Sequence, residues 1–172
     1  MTQPNPLIAR YEAPNAETLA LTQEVRALYE EVADLLDRDE VERLPGYFLD
    51  DCLYQVISRE NHEQGLPQAT IFCDGIRMLR DRIVALRETQ VYGPRYWRHF
   101  ISGVRILSTD KGEIRAQANV LLTEAMSDSE PTVHLVGRYV DRLVRQEGRL
   151  WFRERSVIYD NYRLVRSLIV PV

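Results

Sequence analysis

Residues 95–126 read RYWRHFISGVRILSTDKGEIRAQANVLLTEAM, and from Tyr96 onward apolar and polar residues alternate. A period of two marks a strand with one buried face. The Asp110-Lys111-Gly112 break between WRHFISGVRIL and EIRAQANVLLTEAM is a tight-turn signal. Strands joined by so short a loop pair antiparallel, because a parallel pair needs a crossover. VHLVGRYVDRLVRQ and RLWFRERSVIY continue the pattern after turn signals at residues 127–131 and at Glu147-Gly148. The second half of the chain therefore reads as a long meander.

Ahead of it the period is mostly helical. Asn15 is placed to N-cap a helix over residues 16–38, where Leu21, Val25, Leu28, Val32, Leu35 and Leu36 recur at helical spacing. DEVERLPGYF predicts a short second helix stopped by Pro45-Gly46. DCLYQVISR alternates as a half-buried strand, and ENHEQGLPQA is a loop by composition. Asp74 is placed to N-cap a third helix reaching Glu88, with Ile76, Leu79, Ile83 and Leu86 as its inner stripe. Residues 1–15, rich in Pro and Asn, read as an N-terminal arm, and residues 16–172 as one domain. Helices first and a meander afterwards define an α+β fold, with helices on one face of a long, curved, mainly antiparallel sheet.

Composition narrows the function. The chain has 172 residues, 45% hydrophobic and 28% charged, with a formal net charge of −4. That balance carries no basic footprint for nucleic acid. No run approaches the roughly 18 apolar residues of a membrane span, and the basic-then-apolar pattern of a secretory leader is missing, so a cytoplasmic location is expected. Cys52 and Cys73 sit in apolar surroundings and read as buried free thiols. Two Cys and three His in the whole chain lack the close ligand pairs of a structural zinc site, with Cys52 and Cys73 far apart in sequence and no pair of His beside either. They also lack the paired spacing of a Rieske-type cluster. His62, His99 and His134 fall in three separate elements, so no metal site is expected here. No glycine-rich phosphate loop or nucleophile elbow occurs.

The remaining chemistry lines the sheet. Trp97, His99 and Ile101 share one face, Arg98, Phe100 and Ser102 the other, and Gly103 in mid-strand marks a candidate bulge. If His99 faces inward, it can serve as a general base oriented by Asp51 or Asp74, in a pocket walled by Tyr54 and Tyr96. The alternative is a histidine satisfied at a sheet edge or subunit contact, with no catalytic group in this chain. His134, in an Arg-rich strand, reads as a surface or interface residue, and His62 as an exposed loop residue. Arg138, Arg142, Arg153 and Arg155, with Asp141 and Glu154 among them, fit cross-strand ion pairs on a solvated face. An interface fits as well, since arginine is enriched there. The interface candidates are Arg98, His99, Arg138, Arg142, Arg155 and Tyr159. The tail DNYRLVRSLIVPV ends apolar, to be tucked into the fold or laid into a subunit seam.

Four stretches in order, DDCLYQVISRE, CDGIRMLRDRI, YWRHFISGVRI and VGRYVDRLVRQEGRLWFRERSVIYDN, resemble the small (β) subunit of aromatic-ring-hydroxylating dioxygenases. The resemblance spans residues 17 to 172. The family's Ser-Arg-x-Arg-His stands here as Tyr96-Trp97-Arg98-His99, aromatic where the family has its first Arg. ISRENHEQGLP is most similar to subunits of enzymes that take salicylate, anthranilate or terephthalate. The resemblance implies a cone-shaped α+β fold shared with ketosteroid isomerase and scytalone dehydratase, and a non-catalytic subunit without a cofactor of its own. It implies a large (α) partner carrying a Rieske 2Fe–2S cluster and mononuclear Fe(II), served by a ferredoxin and reductase, in an α3β3 assembly. The rival expectation is a stand-alone dehydratase or isomerase of the same fold using His99 with a carboxylate. A third is a small-ligand-binding protein.

Overall fold

A computed structural model describes residues 13–89, 95–164, 167–168 and 170–172. The expected arm over residues 1–15 falls almost wholly outside them.

Helix α1 spans Ala16–Asp37 and starts where Asn15 Oδ1 accepts the Thr18 N–H at 2.8 Å. Its buried stripe includes Val25, Tyr29, Val32 and Leu36. The expected second helix is a 3-10 turn at Val41–Tyr47, entered through Asp39 at φ 60°. Strand β1 follows at Phe48–Ser58, burying Cys52, Tyr54 and Val56. Two elements then depart from the sequence reading. Inside the expected loop, Ser58 Oγ accepts the Asn61 N–H at 3.2 Å and caps a one-turn helix α2 at Arg59–Glu63. Residues Ile71–Asp74 form a short strand β2, burying Ile71 and Cys73. Asp74, expected as a cap, ends that strand opposite Leu53. The turn into helix α3, Ile76–Thr89, is made by Gly75 at φ 87°, whose carbonyl accepts the Leu79 N–H at 3.4 Å. Only glycine takes that backbone region without strain.

The meander is β3 (Arg95–Asp110), β4 (Glu113–Met126), β5 (Ser129–Gln146) and β6 (Arg149–Tyr159). The six strands form one curved sheet in the order β2-β1-β6-β5-β4-β3. Every pairing is antiparallel except β1 with β6, where the first long strand lies parallel to the last. Gly103, at φ 62°, sits in the register shift between Ser102 and Arg105, the bulge that its position suggested.

The core lies between the sheet's inner face and the stripes of α1 and α3. The tail joins it. Leu168, Val170 and Val172 are 6%, 4% and 1% exposed. The Tyr54 hydroxyl donates to the Val172 carbonyl at 3.2 Å and accepts its N–H at 2.7 Å. Of the two expectations for the tail, the fold realises the tuck into this chain's own core. The reason is that β1 presents Tyr54 to it with both hydrogen-bonding roles available.

Two outcomes follow. Tyr54→Phe strips the hydroxyl partner from both the N–H and the carbonyl of buried Val172, at about 1–3 kcal/mol, and should lower Tm by several degrees. An unchanged melting curve would show that the tail is held elsewhere. Burial pushes the Cys52 thiol up to about 11 and moves Cys73 upward as well. The folded state thus holds the Cys52 proton more tightly than the unfolded chain, whose thiol titrates near ~8.5. Its stabilising contribution is full below that pH and is lost as pH rises towards the folded value. Alkylation at pH 8 should therefore be slow in the native protein and fast in urea. Equal rates would contradict the burial.

Candidate functional site

Strand β3 is an edge strand, and the last residue of α1 lies against it. The Asp37 carboxylate accepts the His99 backbone N–H at 3.1 and 3.2 Å and lies 2.7 Å from His99 Nδ1. Arg98 Nη1 adds a contact at 3.4 Å. A carboxylate at a helix C-terminus opposes the helix dipole, and here those donors offset it. The His99 and Asp37 side chains are 2% and 5% exposed. With Nδ1–H given to Asp37, the remaining ring nitrogen, Nε2, is sealed from solvent and finds no partner among the described residues. The pair has the composition of an acid–base dyad without a ring nitrogen open to a substrate. Its geometry is that of a stitch: the carboxylate caps an N–H on the edge strand and ties α1 to the sheet.

The other members of the expected catalytic set lie elsewhere. Asp51 pairs with Arg153 at 2.6 Å and is 67% exposed on β1. Asp74 is on β2, at the opposite edge of the sheet from His99. Tyr54 is committed to the tail, while Tyr96 is 67% exposed. His99, Asp51 and Asp74 are therefore not brought together, and Asp37 holds the histidine instead. The signal that could have found Asp37 is a carboxylate in the last turn of a helix, where the dipole disfavours it unless a donor holds it.

A second cluster occupies the interior. Arg155 and Asp141 face each other across β6 and β5, 3.0 Å apart and 1% and 0% exposed. The guanidinium lies over the rings of Tyr139 and Phe152, each centroid at 4.2 Å, and of Tyr29 at 4.9 Å. Burial opposes the charge on Arg155, yet Asp141 and the tyrosines hold its pKa above the ordinary arginine value. Burial likewise pushes the Asp141 carboxyl upward, with the Arg155 charge pulling against it. The expected solvated pair is thus a core pair. The cause is a register shift beside Arg153, where Leu143 faces Phe152 but Arg142 faces Glu154. The extra residue reverses which side chains point inward.

The same device relocates His134. A shift between Leu122 and Thr123 leaves His134 and Leu135 both facing inward, and His134 is 2% exposed, edge-on to Trp97 at 4.9 Å. It is a core residue, not a surface one. His62 is exposed, as its loop position suggested. Of the interface candidates, Arg155 is enclosed and presents nothing outward. Arg142 pairs with Glu113 at 2.8 Å, and Tyr159 shares a hydrogen bond with the Thr70 hydroxyl at 3.0 Å. Arg98 keeps its side chain 65% exposed.

Among the described residues, no three His, Cys, Asp or Glu side chains converge as a metal-binding group. No described helix is long and apolar enough to cross a membrane.

With this geometry in hand, comparison with known proteins gives one answer. The profile of the family described as "ring hydroxylating beta subunit" matches residues 31–166. The chain belongs to that family. It is similar to the anthranilate 1,2-dioxygenase small subunit of Burkholderia cepacia, 37% identical over 80% of this chain and 85% of the relative. It is similar too to a beta subunit of the terephthalate 1,2-dioxygenase terminal oxygenase component of a Comamonas species, 33% identical over 75% and 84%. A crystal structure from Novosphingobium aromaticivorans, assigned as the beta subunit of an aromatic-ring-hydroxylating dioxygenase, superposes with a TM-score of 0.81. It is 34% identical and covers 90% of this chain and 98% of its own. A structure assigned as a scytalone dehydratase from the same organism, at 18% identity, TM-score 0.66 and coverage of 90% and 94%, shares the fold alone.

Asp141→Asn should strand the Arg155 charge in the core and cost about 3–5 kcal/mol, read as an earlier urea midpoint. A loss under about 1 kcal/mol would mean that water or another acceptor reaches Arg155.

Proposed function

We propose that this chain is the non-catalytic small subunit of a multicomponent oxygenase that hydroxylates an aromatic acid. The observation that carries the reading is the filled interior. An enzyme of this architecture needs open space between helices and sheet, with a reachable acid–base group in it. Here that space holds Arg155, Asp141, the buried rings of Tyr29, Phe48, Tyr54, Trp97, Tyr139 and Phe152, and the tail. The His99–Asp37 pair is closed as well. What the chain offers is surface.

On this reading the chemistry belongs to a large subunit carrying a Rieske 2Fe–2S cluster and mononuclear Fe(II), reduced through a ferredoxin and reductase. Three copies of each chain form an α3β3 complex in the cytoplasm. The anthranilate and terephthalate names of the relatives support a carboxylated aromatic substrate. The small subunit's role is to hold the large ones in register.

The reading is tested by co-expressing the chain with its large subunit and assaying anthranilate, terephthalate and salicylate. Turnover should require the large subunit, and the small chain alone should give none. His99→Ala, which removes the ring partner of the buried Asp37 and leaves it only the residue-99 N–H and Arg98, should lower Tm by an amount matching about 1–3 kcal/mol. Turnover per assembled complex should stay near normal. A folded, fully assembled and inactive His99→Ala complex would instead assign His99 a part in the chemistry, where losing a general base costs roughly two to four orders of magnitude.

A further inference from the structure

Beside the first turns of α1 the surface carries a groove of about 570 Å³, between that helix and the β3–β4 turn. Ala20, Leu21 and Ile114 are its apolar lining. Arg145 of β5 crosses to Glu24 on α1 with two hydrogen bonds, at 2.7 and 2.6 Å, and bounds the groove. Glu113 is likewise engaged, by Arg142 at 2.8 Å. Glu17, Asp110 and Lys111 make no ion pair among the described residues, so the rim carries two unpaired carboxylates to one unpaired cation.

The lining offers little to hold a small ligand. Such sites aim a few enclosed polar groups at what they bind. Among the described residues, none of the enclosed side-chain atoms that lack a hydrogen bond belongs to this groove. What it presents is a short apolar trough under an acidic rim. From Glu17 to Glu24 it is ~10 Å long, at 1.5 Å per helical residue.

The chain itself supplies a segment of matching chemistry. Residues 8–11 read Ile-Ala-Arg-Tyr and stand just ahead of Ala13, where the described residues begin. A turn back at Pro14 gives about 3.3 Å per residue of extended chain. Tyr11 then comes level with Leu21, and Arg10 level with Glu24. Alternate residues of an extended segment face opposite ways. Ala9 and Tyr11 thus rest together on the apolar lining while Arg10 stays at the rim, where one cation is lacking. A tethered segment also outcompetes a free one, because its effective concentration is of roughly millimolar order.

We propose that residues 8–11 fold back as a strap in this groove, with Ala9 and Tyr11 on its apolar lining and Arg10 at its acidic rim. The arm then belongs to this chain's own surface and not to a neighbour's.

The test uses the full-length chain, in which Cys52 and Cys73 are buried. Ala9→Cys is combined either with Ala20→Cys in the groove or with Leu19→Cys. Leu19 is 49% exposed at nearly the same height on α1 but is not part of the lining. Both α1 positions are exposed, so both double variants should melt like wild type. Under diamide at low micromolar protein, the Ala20 pair should close within one chain at least tenfold faster than the Leu19 pair. Arg10→Glu, which reverses the charge offered to the rim, should remove most of that ratio. Equal rates for the two pairs, or a ratio indifferent to Arg10→Glu, would overturn the proposal. Covalent dimers whose yield rises with protein concentration would seat the strap on a second copy and overturn it as well.

Discussion

The Arg155 guanidinium lies at the middle of the sheet, with Asp141 beside it on β5, Tyr54 beside it on β1 and three aromatic rings against it. A buried ion pair is weak evidence for stability, because desolvating two charges can outweigh their attraction. Its effect here is on register. A one-residue slip of β6 against β5 would turn Arg155 outward and leave Asp141 alone in a core of rings and methyl groups. The same residue pairs with both neighbours of β6, so the alignment of three strands depends on it. Tyr54 then sets the tail, and Tyr29 ties the pair to α1.

Much of this was legible. Period-two alternation gave all four meander strands, and the helical stripes gave α1 and α3, because one face of each element is buried along most of its length. What escaped was local. Strand β2 has four residues, too few to show a period. The reading of Arg155 and His134 failed for one reason: Arg155 lies just beyond a bulge and His134 is the inserted residue of another, and an inserted residue reverses the parity on which inward and outward assignments rest. Gly103 announced its bulge because glycine is conspicuous in a strand. Arg153 and His134 carry no such mark. Asp37 was missed because acid–base reasoning looked for carboxylates near His99 in loops and strands, whereas the helix end supplied it.

The candidate site divides the same way. Sequence placed His99 at a polar seam, and the structure supplies its partner and closes its free nitrogen. Among the described residues the space between helices and sheet is occupied by Arg155, Asp141, the buried rings and the tail.

The parallel pairing of β1 with β6 has a consequence for how the chain acquires its shape. Gln55 and Ser156 touch across a separation of 101 residues, and Tyr54 reaches Val172 across 118. Loops of that length are entropically expensive to close before their contacts form, and topologies rich in them fold slowly. During synthesis β1 and β2 emerge early and can pair with each other, but the other edge of β1 has no partner until β6 has left the ribosome. Their apolar faces stay exposed for that interval, when aggregation competes with folding. The Arg155 rank therefore assembles last.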